Sequence, residues 1–215
     1  TIAGSLYAVA FGSFFAHLLK TSGVIGEDVG LPIDKILAAV AIIIFTFVNV
    51  RGSSDTGKVG NAITFTQLAI IGILITAAII AMMFANPNWS DNYTDFLPHG
   101  VAGLALAMGL TFIAFEGYEI ISQAGDEIKN PRRNIPRAIL ISLGIVVSVY
   151  ILFTFVFIGG LNESAIGMPA WEFIGGFGEL GIIEAADQFL PFGALIVLAG
   201  GLVSTLSALN ATTFA

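Results

Sequence analysis

Six runs of apolar residues, at 2–19, 36–50, 59–85, 101–123, 138–161 and 189–215, dominate this chain. They approach or exceed the roughly 17–25 residues that an α-helix needs to cross a bilayer. The second is short and draws on Gly52 and the residues near Leu31. The third opens on a polar Gly60-Asn61 pair, expected as a turn at the membrane interface. The remaining composition leaves little for a soluble surface. The chain is 56% hydrophobic and 11% charged, where a soluble domain carries about 25% charged residues. Its mean hydropathy is +0.93. The expected fold class is therefore an all-α membrane protein with six transmembrane helices, forming a single transmembrane domain over residues 1–215. Thr1 and Ala215 both lie at or inside apolar runs, which predicts an internal piece of a longer protein.

Charge predicts the orientation. Six of the eight basic residues fall in two loops, Arg51 and Lys58 in one, Lys129, Arg132, Arg133 and Arg137 in the other. Cytoplasmic loops carry the excess of Lys and Arg, so loops 51–58 and 124–137 are expected inside a multi-pass plasma-membrane protein. Two spans separate them, as that requires. The other loops then face outward. They hold Glu27, Asp28, Asp34, Asp91, Asp95, Glu163, Glu172, Glu179, Glu184 and Asp187, against Lys20 and Lys35. This acidic outer face supplies the net charge of −7. It serves either to attract cationic solutes or simply to keep the surface solvated. The outer loop 162–187 contains Ala170-Trp171-Glu172-Phe173-Ile174, helical in character and too short to span. It reads as part of a lid or as a packed interfacial loop, with Trp171 at the interface.

The fourth run contains the strongest functional signal. Phe112-Ile113-Ala114-Phe115-Glu116-Gly117-Tyr118-Glu119 sets two carboxylates and a glycine inside a membrane-length segment. Each carboxylate at that depth costs about 2–3 kcal/mol on insertion scales, and such residues mark ligand or ion pathways. Gly117 is a point where the helix can open, and irregular backbone at that depth survives only inside protein or beside a water-filled cavity. A break within 114–118 is expected, at the centre of a transporter's binding site. In the loop that follows, Asn134 is expected to cap the next helix, with Pro136 in its first turn.

Phe115-Glu116-Gly117-Tyr118-Glu119, followed by Asp126-Glu127-Ile128-Lys129-Asn130-Pro131-Arg132-Arg133-Asn134-Ile135-Pro136-Arg137-Ala138-Ile139, resembles the sixth helix and following loop of amino acid permeases of the amino acid–polyamine–organocation superfamily. Ala8-Val9-Ala10-Phe11-Gly12-Ser13-Phe14-Phe15 is similar to the third helix, Val48-Asn49-Val50-Arg51-Gly52 to the end of the fourth, Gly57-Lys58-Val59-Gly60-Asn61-Ala62-Ile63-Thr64 to the start of the fifth, and 202–215 to most of the eighth. The resemblance implies a 5+5 inverted-repeat (LeuT-like) fold, of which this chain holds helices three to eight. It implies that broken first and sixth helices meet at the substrate. Carried over by motif, the carbonyls of Ile113, Ala114 and Glu116 accept the substrate's ammonium. Phe115 and Tyr118 are wall or gate, and Gly117 permits the break.

The same resemblance assigns Glu119 to gating or coupling. Glu116 stands where many members are apolar. It meets a cationic side chain of the substrate, takes up a proton, or pairs with another helix. Gln67 occupies the place where several proton-coupled members carry lysine, and an amide cannot carry a proton cycle. Ser204, Thr205, Ser207 and Thr212 either complete a sodium-type site or back-bond within their helix.

Other chemistry has little support. Cysteine is absent, the two histidines lack metal spacing, and no phosphate loop or basic nucleic-acid face occurs. The expectation is a secondary transporter of amino acids or related amines working by alternating access, not an enzyme. It has no cofactor, no metal and no nucleic-acid partner. Its partners are a small-molecule substrate, the lipid bilayer and a coupling ion, Na+ or H+. A non-transporting membrane receptor or accessory subunit of the same fold is the alternative.

Overall fold

The computed structural model describes residues 2–26, 32–50, 56–114 and 128–214. Among these residues, six long helices correspond to the six apolar runs: α1 (Ile2–Thr21), α2 (Ile33–Val50), α3 (Thr56–Ile80), α4 (Gly100–Ala114), α5 (Pro131–Gly160) and, after three short helices, α9 (Gly193–Phe214). The short ones are α6 (Glu163–Ile166), α7 (Ala170–Gly176) and α8 (Gly181–Phe189). Among the described residues there is no strand. By length and composition, two helical stretches there qualify as spans, Ala62–Ala85 and Pro131–Gly160. Helix α7 coincides with the short helical segment expected in the loop. Helix α8 follows it, and its strongly one-sided apolar face buries Ile183, Ala185 and Ala186.

Two local expectations are corrected. Gly60-Asn61 is no turn, because α3 already starts at Thr56 and runs through it. One glycine costs a helix only about 1 kcal/mol, far less than an apolar segment recovers by staying helical. Nor does Asn134 cap α5. Pro131 takes the first helical position, Asn130 precedes it with φ 52°, and Pro136 lies inside the helix. The Asn134 amide instead donates back to the Lys129 carbonyl at 2.5 Å. Both prolines suit a helix start by their fixed φ, and the earlier one sets it.

Helix α1 packs most extensively against α2 and α9, α9 against α8 and α3, and α3 against α5. The main core, around Leu74, Ala78, Phe157, Leu161, Ile183 and Leu198, joins α3, α5, α8 and α9. A smaller one, Ala8, Ala38, Ala41 and Leu209, joins α1, α2 and α9. Small residues permit these approaches. A Cβ on Gly12 would stand 2.1 Å from the Asp34 carbonyl oxygen, and one on Gly160 3.1 Å from that of Ala78. Helices that do not gain by hiding from lipid associate through such close packing. Large apolar side chains remain outside, among them Leu106, Leu110 and Phe112 on α4 and Ile141 and Ile151 on α5. Such surfaces need lipid or further protein around them.

The end of the molecule bearing Asp34, Asp91, Glu163, Glu179 and Asp187, here the acidic end, is tied by a polar clamp. Helix α3 closes in a π-turn, Ala81–Ala85, and a 3-10 turn follows at Trp89–Tyr93. Buried Asn86 donates to the carbonyls of Gly159 (2.9 Å) and Leu161 (2.8 Å). Buried Asn92 donates to those of Ile158 (2.6 Å) and Leu161 (2.9 Å). The Tyr93 hydroxyl donates to the Phe155 carbonyl, and its ring stacks on Phe155. The last carbonyls of a helix have no partner of their own, so this connection supplies them for α5. Nearby, His99 meets Trp171 edge-on, with ring centres 5.2 Å apart, which docks α7 beside the start of α4.

Candidate functional site

A cavity of about 250 Å³ lies among α1, α3, α5, α8 and α9. Its walls are apolar, with Phe14, Ile70, Phe153, Ile183 and Val197 among them. Three polar side chains line it: Gln67 from α3, Ser204 from α9, and Glu179 from the 3-10 turn Gly178–Leu180. The glycine pair Gly200-Gly201 gives α9 its smooth face here. A Cβ on Gly201 would fall 2.6 Å from the Phe14 ring, and one on Gly200 3.1 Å from Ile70. Glu179 is fixed from α1, where the Ser13 hydroxyl donates to its Oε2 at 3.2 Å.

Gln67 and Ser204, singled out separately in the sequence, thus share one cavity. Thr205 is buried on the adjoining turn, and its hydroxyl donates back to the carbonyls of Gly201 (2.7 Å) and Leu202 (3.1 Å). Thr212 does the same to Ala208 (3.0 Å) and Leu209 (3.1 Å). Each of these oxygens keeps acceptor capacity, so a back-bonded hydroxyl can still face a cation. Ser207 is half-buried on α9. On α4, the backbone is helical through Ile113 and Ala114. Phe115, Glu116, Gly117, Tyr118 and Glu119, with the expected helix break, lie outside the described residues.

Sequence reasoning missed Glu179, which read as one loop charge among many, and Phe14. The Gly200-Gly201 pair inside an apolar run was the available signal, since paired small residues mark a close helix approach. An amide, a hydroxyl and a carboxylate set in apolar walls can hold a polar or cationic solute by hydrogen bonds and charge. Among the described residues no group of three or more His, Asp or Glu is arranged to hold a metal ion.

The family model described as amino acid permease matches residues 1–215. An uncharacterised protein of Methanocaldococcus jannaschii is 32% identical over 98% of this chain and 44% of its own length. The methylthioribose transporter of Bacillus subtilis is 29% identical over 100% of the chain and 46% of its own. The branched-chain amino acid permease BcaP of the same organism is 27% identical over 53% of the chain and 23% of its own. The chain therefore spans about half the length of the first two of these relatives. A match along every residue, on described residues that are helical and rich in exposed apolar faces, shows the family: the chain belongs to the amino acid permease family.

Proposed function

We propose that the protein is a secondary transporter that moves amino acids or related amines across the membrane by alternating access. The observation that carries this is the family match over the whole chain. The cavity of Gln67 and Ser204 supports it, being sized and lined for a small solute. In this reading the chain is one transmembrane domain fragment, helices three to eight of a 5+5 inverted repeat. Its loops 51–58 and 124–137 are cytoplasmic.

In this reading the helix breaks after Ala114, and the carbonyls of Ile113, Ala114 and Glu116, at the negative end of its dipole, meet the substrate's ammonium. Phe115 and Tyr118 wall the site, and Gly117 lets the helix break. Glu119 carries the gating or coupling charge, with Gln67 its uncharged counterpart on α3. Ser204, Thr205, Ser207 and Thr212 contribute oxygens toward a coupling ion.

The test is uptake by the full-length protein in proteoliposomes, using labelled branched-chain and cationic amino acids and methylthioribose, against external pH and sodium. Uptake of an amino acid is expected. Binding without uptake would instead make the protein a receptor of the same fold. Glu119→Gln should impair uptake more than Gln67→Leu. The reverse would move the coupling role from α4 to α3. External labelling of Arg133→Cys would overturn the orientation.

A further inference from the structure

A second cavity, also of about 250 Å³, opens at the acidic end beside the last turns of α1. Ser13, His17 and Lys20 line it at helical spacing, so one face of α1 forms its first wall. Asp34, in the first turn of α2, lines the second. Phe177 and Glu179, between α7 and α8, line the third. The cavity thus holds an ammonium and an imidazole on one wall, and a carboxylate on each of the other two. Among the described residues no ion pair joins Lys20 to Asp34 or Glu179.

The walls are held in place by backbone. Gly12, next to Ser13, brings α1 against the Asp34 carbonyl, where a Cβ would stand 2.1 Å away. Gly181, two residues past Glu179, brings the start of α8 against the Ile174 carbonyl, where a Cβ would stand 2.2 Å away. The opposed charges therefore stand on separate elements whose backbones are in close contact.

We propose that this cavity binds the free zwitterion of an amino acid, its carboxylate at Lys20 and His17 and its ammonium at Asp34 and Glu179. Both signs of charge are needed on the ligand, since either alone leaves one wall unmatched. Phe177 supplies an apolar surface for the ligand's side chain. Glu179 also lines the cavity of Gln67 and Ser204. The zwitterion site thus stands one side chain away from that cavity and serves as its approach. The ligand class rests on the transport reading above; the charge arrangement does not.

The experiment is calorimetry on the full-length protein in nanodiscs with leucine, methionine and arginine. 3-Methylbutylamine and 4-methylpentanoate serve as leucine lacking one charge or the other. Lys20→Gln and Asp34→Asn should each weaken binding of the zwitterions about tenfold, and Lys20→Arg should retain it. Both single-charge analogues should bind at least about tenfold more weakly than leucine. In uptake, the two neutral variants should raise the half-saturating concentration and leave the maximal rate unchanged. If no amino acid is taken up but Lys20→Gln and Asp34→Asn still weaken leucine binding about tenfold, the transport reading fails and this site stands. Binding unchanged in both variants, an analogue binding as tightly as leucine, or no binding of any of the three amino acids overturns the site.

Discussion

The asparagine clamp and the cavity of Gln67 and Ser204 both put polar side chains among apolar helices, and they treat them oppositely. At the clamp, the amides of Asn86 and Asn92 are spent on the carbonyls that end α5. Both residues are buried, 3% and 8% exposed. In the cavity, Gln67 and Ser204 face open space that also reaches the Glu179 carboxylate. A buried polar group is costly unless paired. Saturated polar groups therefore read as architecture, while those left facing a cavity read as places for a solute.

The comparison makes its largest prediction at the clamp. Asn86→Leu strands the Gly159 carbonyl and should cost about 2–3 kcal/mol, read as a lowered unfolding midpoint in detergent. Asn92→Leu should cost somewhat less alone. The double variant should fall short of the sum, because both amides share the Leu161 carbonyl. Strict additivity would mean that the clamp is not a single unit. Next in size is the helix contact at Gly12. Gly12→Ala must push α2 away from α1 and should cost about 1–3 kcal/mol. Gly144→Ala, with open space around it, should be neutral or stabilising by up to about 1 kcal/mol.

Cavity substitutions should show the opposite profile. Gln67→Leu or Ser204→Ala should move the unfolding free energy by less than about 0.5 kcal/mol, the usual range for a site outside a packed network. The half-saturating substrate concentration for uptake should rise several-fold, as about 1 kcal/mol of lost hydrogen bonding implies. A cavity variant that unfolds the protein while leaving the half-saturation untouched would erase the distinction drawn here.

The smallest effect concerns Tyr93. Burial raises its phenol pKa, partly opposed by a hydrogen bond from the Gly159 backbone. Its contribution to stability is full below the unfolded phenol's pKa of about 10. It is lost as pH rises from there through the raised folded value. Tyr93→Phe should flatten the alkaline limb of a stability–pH curve. An unchanged slope would mean that the phenol ionises equally in both states.

Run length alone made the six long helices legible, because lipid leaves a long apolar segment no other backbone solution. The short amphipathic α8 was not, since nine residues carry little periodic signal and their partners lie on other helices. The clamp was invisible for a related reason. Asn86 and Asn92 look like ordinary turn residues, and their acceptors lie 66 to 75 positions away. Gln67 and Ser204 were each named through resemblance to a family. Their meeting depends on how α3 and α9 pack, which no local pattern encodes. The start of α5 was misjudged because two prolines competed for one position and spacing alone did not rank them.

The clamp also bears on how this protein can be handled. The connection 86–99 joins α3 to α4 at the surface, the kind of place where epitope tags, protease sites and fused domains are usually accommodated. Here its Asn86 and Asn92 double as the missing partners of another helix. An insertion between them would alter their spacing and release the end of α5. The turn at 22–26, whose hydrogen bonds among the described residues run to its own helix α1, is the better place to cut or decorate the chain.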